Sequence, residues 1–79
     1  MIEPNVKPFG AHLLAATAVR LTEADAAWVE ELATIFGKDR TDAMAVQLEG
    51  RGQEGSRLRA LYDKRQKALA DWRSARGLG

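Results

Sequence analysis

Cysteine is absent from this 79-residue chain. The absence excludes disulfide bonds and thiolate metal sites, which are the usual means of stabilising a secreted domain of this size. A hydrophobic core in so short a chain contributes only about 3–5 kcal/mol of net stability. We therefore expect a single domain that gains further stability from a partner or from self-association.

Histidine occurs only once, as His12. A catalytic triad needs a base beside its nucleophile, and a transition-metal site needs several nitrogen or sulfur ligands, so we interpret His12 as structural or solvated. The carboxylates have the spacing of helix caps and solvated faces, and the glycines of 50–55 match no phosphate-binding motif. The sequence therefore predicts no enzyme, no cofactor, no metal site and no small-molecule substrate.

Long apolar runs are also missing. The run Leu13 to Val19 is far shorter than the roughly 20 residues that cross a bilayer. Residues 1–10 contain Glu3 and two prolines where a signal peptide has a basic start and an apolar stretch. We expect no membrane role, and a cytoplasmic location or a place in a particle assembled there.

The charges present are unevenly distributed, although the net charge is only +1. Residues 1–50 hold four Lys and Arg against eight Asp and Glu, and residues 51–79 hold eight against three. The two parts thus carry −4 and +5. This asymmetry indicates that the C-terminal segment lies against the acidic part, that subunits pack head to tail, or that the basic end meets nucleic acid or an acidic partner.

The first half of the chain contains an arm and a helical unit. Prolines and a glycine in residues 1–10 predict an extended arm. Residues 11–21 fit either a short helix or a segment that ends in a strand over 17–21. Thr22 is a candidate N-cap for a helix that ends near Phe36, with Ala24, Trp28, Leu32 and Ile35 on its apolar face. Gly37 fits the left-handed position beyond that end.

The second half is predicted to end in the longest helix. After a tight connection at 38–40, Asp39 or Thr41 could cap a short helix that carries Met44 and Leu48 and completes a helical unit over 11–49. Three glycines make 50–55 a hinge. Ser56 caps a helix over 56–76, about 30 Å long by the helical rise. The predicted fold class is all-α: a small helical bundle with a long C-terminal amphipathic helix.

The last helix carries the residues most suited to a partner. Its seam steps by four and three residues through Leu58, Tyr62, Arg65, Leu69 and Trp72. We interpret Trp28 as a core residue and Trp72 as either a lid on the bundle or an anchor for a partner. The candidate partner-binding residues are Phe9, Tyr62, Arg65, Leu69 and Trp72. Acidic residues alternate with the cations of this helix and allow pairs such as Asp63 with Lys67.

Residues 17–48 resemble a ribbon-helix-helix DNA-binding domain. The resemblance rests on Thr17-Ala18-Val19-Arg20-Leu21 as the strand, a helix from Thr22, and Gly37 with Arg40-Thr41-Asp42-Ala43 opening a second helix. It implies a dimeric transcriptional regulator that reads the major groove from positions 16, 18 and 20, with Arg20 on the bases and Lys38 and Arg40 near phosphates. Positions 16 and 18 are alanines, which cannot hydrogen-bond a base edge.

Residues 36–72 resemble small helical proteins encoded among the structural genes of tailed bacteriophages. The likeness lies in Phe36-Gly37-Lys38-Asp39, Leu58-Arg59-Ala60-Leu61-Tyr62 and Trp72. It implies a non-enzymatic virion component that packs against larger proteins or itself. This is the leading hypothesis, the DNA-binding regulator is the alternative, and a small phage-encoded inhibitor of a host protein is the third.

Overall fold

The computed structural model describes residues 8–78 of the chain, with side chains from Gly10 onward. Three α-helices and two short 3₁₀ helices succeed one another in this part, and it contains no strand. The elements are α1 (Pro8–Phe36), a 3₁₀ helix (Lys38–Arg40), α2 (Thr41–Ala45), a second 3₁₀ helix (Leu48–Arg51) and α3 (Arg57–Ala75). The all-α prediction is confirmed, and we call residues 37–56 the connector.

Helix α1 is one continuous helix of 29 residues, so the predicted division at Thr22 is wrong. The prediction that the last helix is the longest is also wrong, because α3 has 19 residues. The apolar spacing continues upstream of Thr22, because buried Thr17 and half-buried Leu21 lie on the same face as buried Ala24 and Trp28. Thr17 can be buried because its hydroxyl donates a hydrogen bond to the Leu13 carbonyl at 2.8 Å. Burial of this face along the whole of α1 therefore keeps the helix continuous, despite the capping pattern at Thr22.

Two other sequence expectations change at α1. Residues 17–21 are helical, whereas the ribbon-helix-helix resemblance requires a strand there. The predicted arm over 1–10 is wrong for 8–10, which belong to α1, and residues 1–7 lie outside the described part. Pro8 is compatible with the first turn of a helix, because the amide hydrogen that proline lacks has no partner at that position.

The connector follows a break at Gly37, which has the predicted positive φ, at 100°. Its ψ of 148° lies outside the left-handed helical region, and its amide donates to the Ala33 carbonyl at 2.9 Å. The short helix predicted to carry Met44 and Leu48 is instead two elements, α2 and the second 3₁₀ helix. The extended residue Gln47 separates them. Thr41 makes no capping bond, and its hydroxyl donates to the Lys38 carbonyl instead.

Helix α3 begins where the sequence predicts. The Ser56 hydroxyl oxygen accepts a hydrogen bond from the Arg59 amide at 3.1 Å, which is an N-cap. The helix then returns antiparallel along α1, with Arg65 bonded to Asp25 at 2.6 Å. The basic C-terminal segment therefore lies against the acidic part of the chain, as one of the readings of the charge asymmetry predicts.

Charge pairs along α3 differ from the expected one. Asp63 pairs with Arg59 at 3.1 Å, and Lys67 pairs with Asp71 at 3.1 Å. The suggested pair of Asp63 with Lys67 is wrong. Both observed pairs have the same i,i+4 spacing as the suggested one, so spacing alone does not select among them.

The hydrophobic core lies at the connector end of this helical hairpin. Four buried side chains, Trp28, Leu32, Met44 and Leu58, form the core cluster. Ile35, which the apolar spacing of α1 places on the buried face, is 49% exposed. The reason is the start of α3, since Arg57 is level with Glu31 and α3 does not extend over Ile35. No helix within residues 8–78 is long and apolar enough to span a membrane.

Candidate partner-binding surface

A cleft of about 420 Å³ opens where α1, the connector and α3 meet. We call it the aromatic cleft. Its lining comes from Asp25, Trp28 and Val29 of α1, from Ala45, Val46 and Arg51 around α2, and from Tyr62, Arg65 and Gln66 of α3. Three separate parts of the chain thus contribute to one concave surface.

The floor of the aromatic cleft is a rigid aromatic pair. The rings of Trp28 and Tyr62 are tilted by 59°, with centroids 5.7 Å apart. Trp28 is buried, and its indole nitrogen donates a hydrogen bond to the Gly50 carbonyl at 2.8 Å. Tyr62 is half-buried and packs against the core cluster. These contacts fix the floor before any partner arrives, which lowers the entropic cost of binding.

Two guanidinium groups stand over the aromatic rings. Arg65 lies 5.1 Å from the centre of the Trp28 ring, and Arg51 lies 5.7 Å from the centre of the Tyr62 ring. Arg65 is further held by Asp25 and donates to the Gln66 side chain at 3.2 Å. Arg51 is exposed, and among the described residues it forms no ion pair. The cleft therefore offers one cation whose charge is not neutralised by an adjacent carboxylate.

Exposed apolar side chains form the rim of the aromatic cleft. Val46 is 83% exposed, the highest value for a large apolar side chain among residues 10–78, and Val29 is 36% exposed. Covering Val46 would remove apolar surface from water, which stabilises a complex. The arrangement suits a binding surface with aromatic and arginine anchors at its centre and valines at its edge.

The structure brings together only part of the predicted partner-binding set. Tyr62 and Arg65 line the aromatic cleft, as the seam of α3 suggests. Leu69 and Trp72 are half-buried farther along α3 and do not line it. Trp72 has the guanidinium of Arg76 over its ring at 4.3 Å, an arrangement that covers it from within the chain. The Phe9 side chain lies outside the described residues.

The residues of the DNA-binding alternative do not form one surface. Arg20 lies beside a different groove, between α1 and α3. Lys38 and Arg40 belong to the first 3₁₀ helix, beyond the far end of α1. Arg20 and Phe36 are 16 residue steps apart along α1, which is about 24 Å of helix. All three side chains are exposed.

The sequence prediction lacks seven of the nine residues that line the aromatic cleft, including Trp28, Val46 and Arg51. Val46 and Arg51 belong to the connector, and their approach to Trp28 depends on the path of the chain through Gly50, which helical periodicity does not report. Trp28 was interpreted as core, which it is, but its ring also forms the cleft floor. Three glycines in six residues were the only available signal of a close backbone approach.

Two further observations concern metal sites and relatives. His12 is exposed, and no group of three or more metal-ligating side chains occurs among residues 8–78. No protein-family model matches this chain, and neither the curated proteins nor the solved structures show a significant similarity to it.

Proposed function

We propose that this protein is a non-enzymatic interaction element that binds another protein through the aromatic cleft. The observation that carries the proposal is the clustering of Trp28, Tyr62, Arg51 and Arg65 around one concavity. Trp, Tyr and Arg are the residues that most often dominate the binding energy of protein interfaces. Exposed Val46 beside them supplies apolar surface for a partner to cover.

The chemistry of the aromatic cleft favours one kind of partner segment. Arg51 forms no ion pair among the described residues, so a partner carboxylate can bond it without displacing another acid. Val29 and Val46 line the same cleft and favour an apolar side chain near the carboxylate. We expect a segment that presents an acidic residue beside an aliphatic or aromatic one.

The biological setting of this interaction rests on the resemblance of residues 36–72 to small helical proteins from bacteriophage structural genes. That resemblance supports a place in a virion, where the chain would join larger proteins. An inhibitor that docks on a host protein would use the same surface. The two settings differ in the partner recovered, which is a phage structural protein in the first case and a host protein in the second.

Co-purification of the tagged protein from its producing cells tests the proposal. Arg51→Glu should greatly reduce the recovered partner, because it replaces the cation of the aromatic cleft by an anion. Lys38→Glu is the matched control, since Lys38 is also an exposed cation in a 3₁₀ helix but lies outside the cleft. It should leave recovery unchanged.

Three results would contradict the cleft as the binding site. The first is a partner that Arg51→Glu still binds fully, and the second is an equal loss in both variants. The third is a loss caused by Lys38→Glu alone, with nucleic acid as the recovered partner, which would favour the DNA-binding alternative.

A further inference from the structure

A second concavity lies on the opposite flank of the helical hairpin. We call it the alanine groove, because Ala24 and Ala27 of α1 and Ala68 of α3 form its floor. It has a volume of about 470 Å³ and shares no lining residue with the aromatic cleft. A floor of methyl groups allows the backbone of another helix to approach closely.

Charges of both signs border the alanine groove. Arg20 and Glu23 stand on the α1 side, and Lys64, Lys67 and Asp71 stand on the α3 side. Within the described part of the chain, neither Arg20 nor Glu23 forms an ion pair, and Lys67 and Asp71 pair only with each other along α3. The two α1 charges are therefore available to a second molecule.

The contacts between α1 and α3 determine which of these charges are level with one another. Asp25 bonds to Arg65, and Thr17 accepts a hydrogen bond from Arg76. The two helices are antiparallel, so residues nearer the N-terminus of α1 lie beside residues nearer the C-terminus of α3. Interpolation between the two contacts places Glu23 at the same height along the helix axes as Lys67. Arg20 is at the same height as Asp71. At each level, the two sides of the groove carry opposite charges.

We propose that a second copy of this chain docks on the alanine groove, related to the first by a two-fold axis that runs along the groove. Such an axis brings α1 of each copy over α3 of the other. Because the axis is parallel to the helices, every residue keeps its height along them. Glu23 of one copy then meets Lys67 of the other, and Arg20 meets Asp71. The symmetry doubles each pair, and the result is an antiparallel four-helix arrangement.

The alternative two-fold axis, perpendicular to the helices, does not make these pairs. It would bring α1 over α1 and α3 over α3, so that Glu23 of one copy meets Arg20 of the other and Lys67 meets Asp71. A variant that exchanges the charges of Glu23 and Lys67 tells the two geometries apart, because it restores opposite charges only with the axis along the groove. The inference goes beyond the proposed function, because the aromatic cleft stays open in the dimer.

Sedimentation velocity of the purified protein across a range of concentrations tests the dimer. Wild type should dimerise as concentration rises, and more weakly at high salt, because exposed ion pairs are screened. Glu23→Lys or Lys67→Glu alone should each raise the dissociation constant by about tenfold, since every substitution acts at two symmetric places. The double variant, Glu23→Lys with Lys67→Glu, should restore it.

Controls separate this inference from the proposed function. Arg51→Glu lies in the aromatic cleft and should dimerise like the wild type while losing the partner. Circular dichroism should show the same helix content in every variant, because both substituted side chains are exposed. A wild type that is monomeric at all concentrations would overturn the inference. So would a dimer that single variants leave unchanged or that the double variant fails to restore.

Discussion

Trp28 joins the connector, the core and α3. Its indole group donates to the Gly50 carbonyl, its ring is part of the core cluster, and Arg65 lies over its face. A side chain on Gly50 would place its Cβ 2.0 Å from the Met44 carbonyl oxygen, so glycine is required where the connector approaches Trp28. The same contacts that stabilise the core also build the floor of the aromatic cleft.

Trp28→Phe should destabilise the protein by about 1–3 kcal/mol, because it leaves the buried Gly50 carbonyl without its hydrogen-bond donor. Urea denaturation followed by circular dichroism measures the change. Trp72→Phe is the matched control, since the Trp72 side chain is half-buried and its indole donates no hydrogen bond within residues 8–78. Equal losses in the two variants would contradict the importance of the bond to Gly50.

At the scale of elements, the sequence predicts α3 better than α1. Ser56 as N-cap, the apolar seam and the end near Arg76 were all readable locally, because a cap and a clear periodicity coincide there. In α1, Thr22 followed by acidic residues imitates a helix start, although burial of Thr17, Leu21 and Ala24 on one face continues the helix through it. Tertiary packing decides the boundary in that case.

The connector was the least predictable element. Its division into α2 and a second 3₁₀ helix follows from contacts with α1, and these contacts lie outside any local pattern. Tyr62 and Arg65 could be chosen as partner-binding residues from the seam of α3, whereas Val46 and Arg51 could not. The sequence therefore predicts two of the nine residues that line the aromatic cleft, and both belong to α3.

Ser56→Ala should cost about 1 kcal/mol of stability, because the Arg59 amide loses its capping acceptor. Ser74→Ala provides the comparison within the same helix. Ser74 is exposed and near the C-terminus of α3, where replacement by alanine favours the helix slightly. Thermal unfolding should therefore show a lower Tm for the first variant only. The same Tm for both would mean that the cap does not stabilise α3.

As a whole molecule, the chain is an elongated hairpin, with extents of 56, 23 and 17 Å over its described part. Its buried core cluster lies at the connector end. The aromatic cleft and the alanine groove occupy opposite flanks, since Tyr62 and Gln66 face one side of α3 and Lys64 and Lys67 face the other. A molecule of this form can bind a copy of itself and another protein at the same time.

The central claim is that another protein covers the aromatic cleft, and site-specific photo-crosslinking in the producing cells tests it most directly. A photoreactive side chain replaces Val46 at the rim of the cleft or, as a control, Ala26, which is exposed on the face of α1 turned away from α3. The account predicts a cross-link to a second protein from position 46, lost with Arg51→Glu, and none from position 26. A cross-link from position 26 alone, or from neither position, would contradict it.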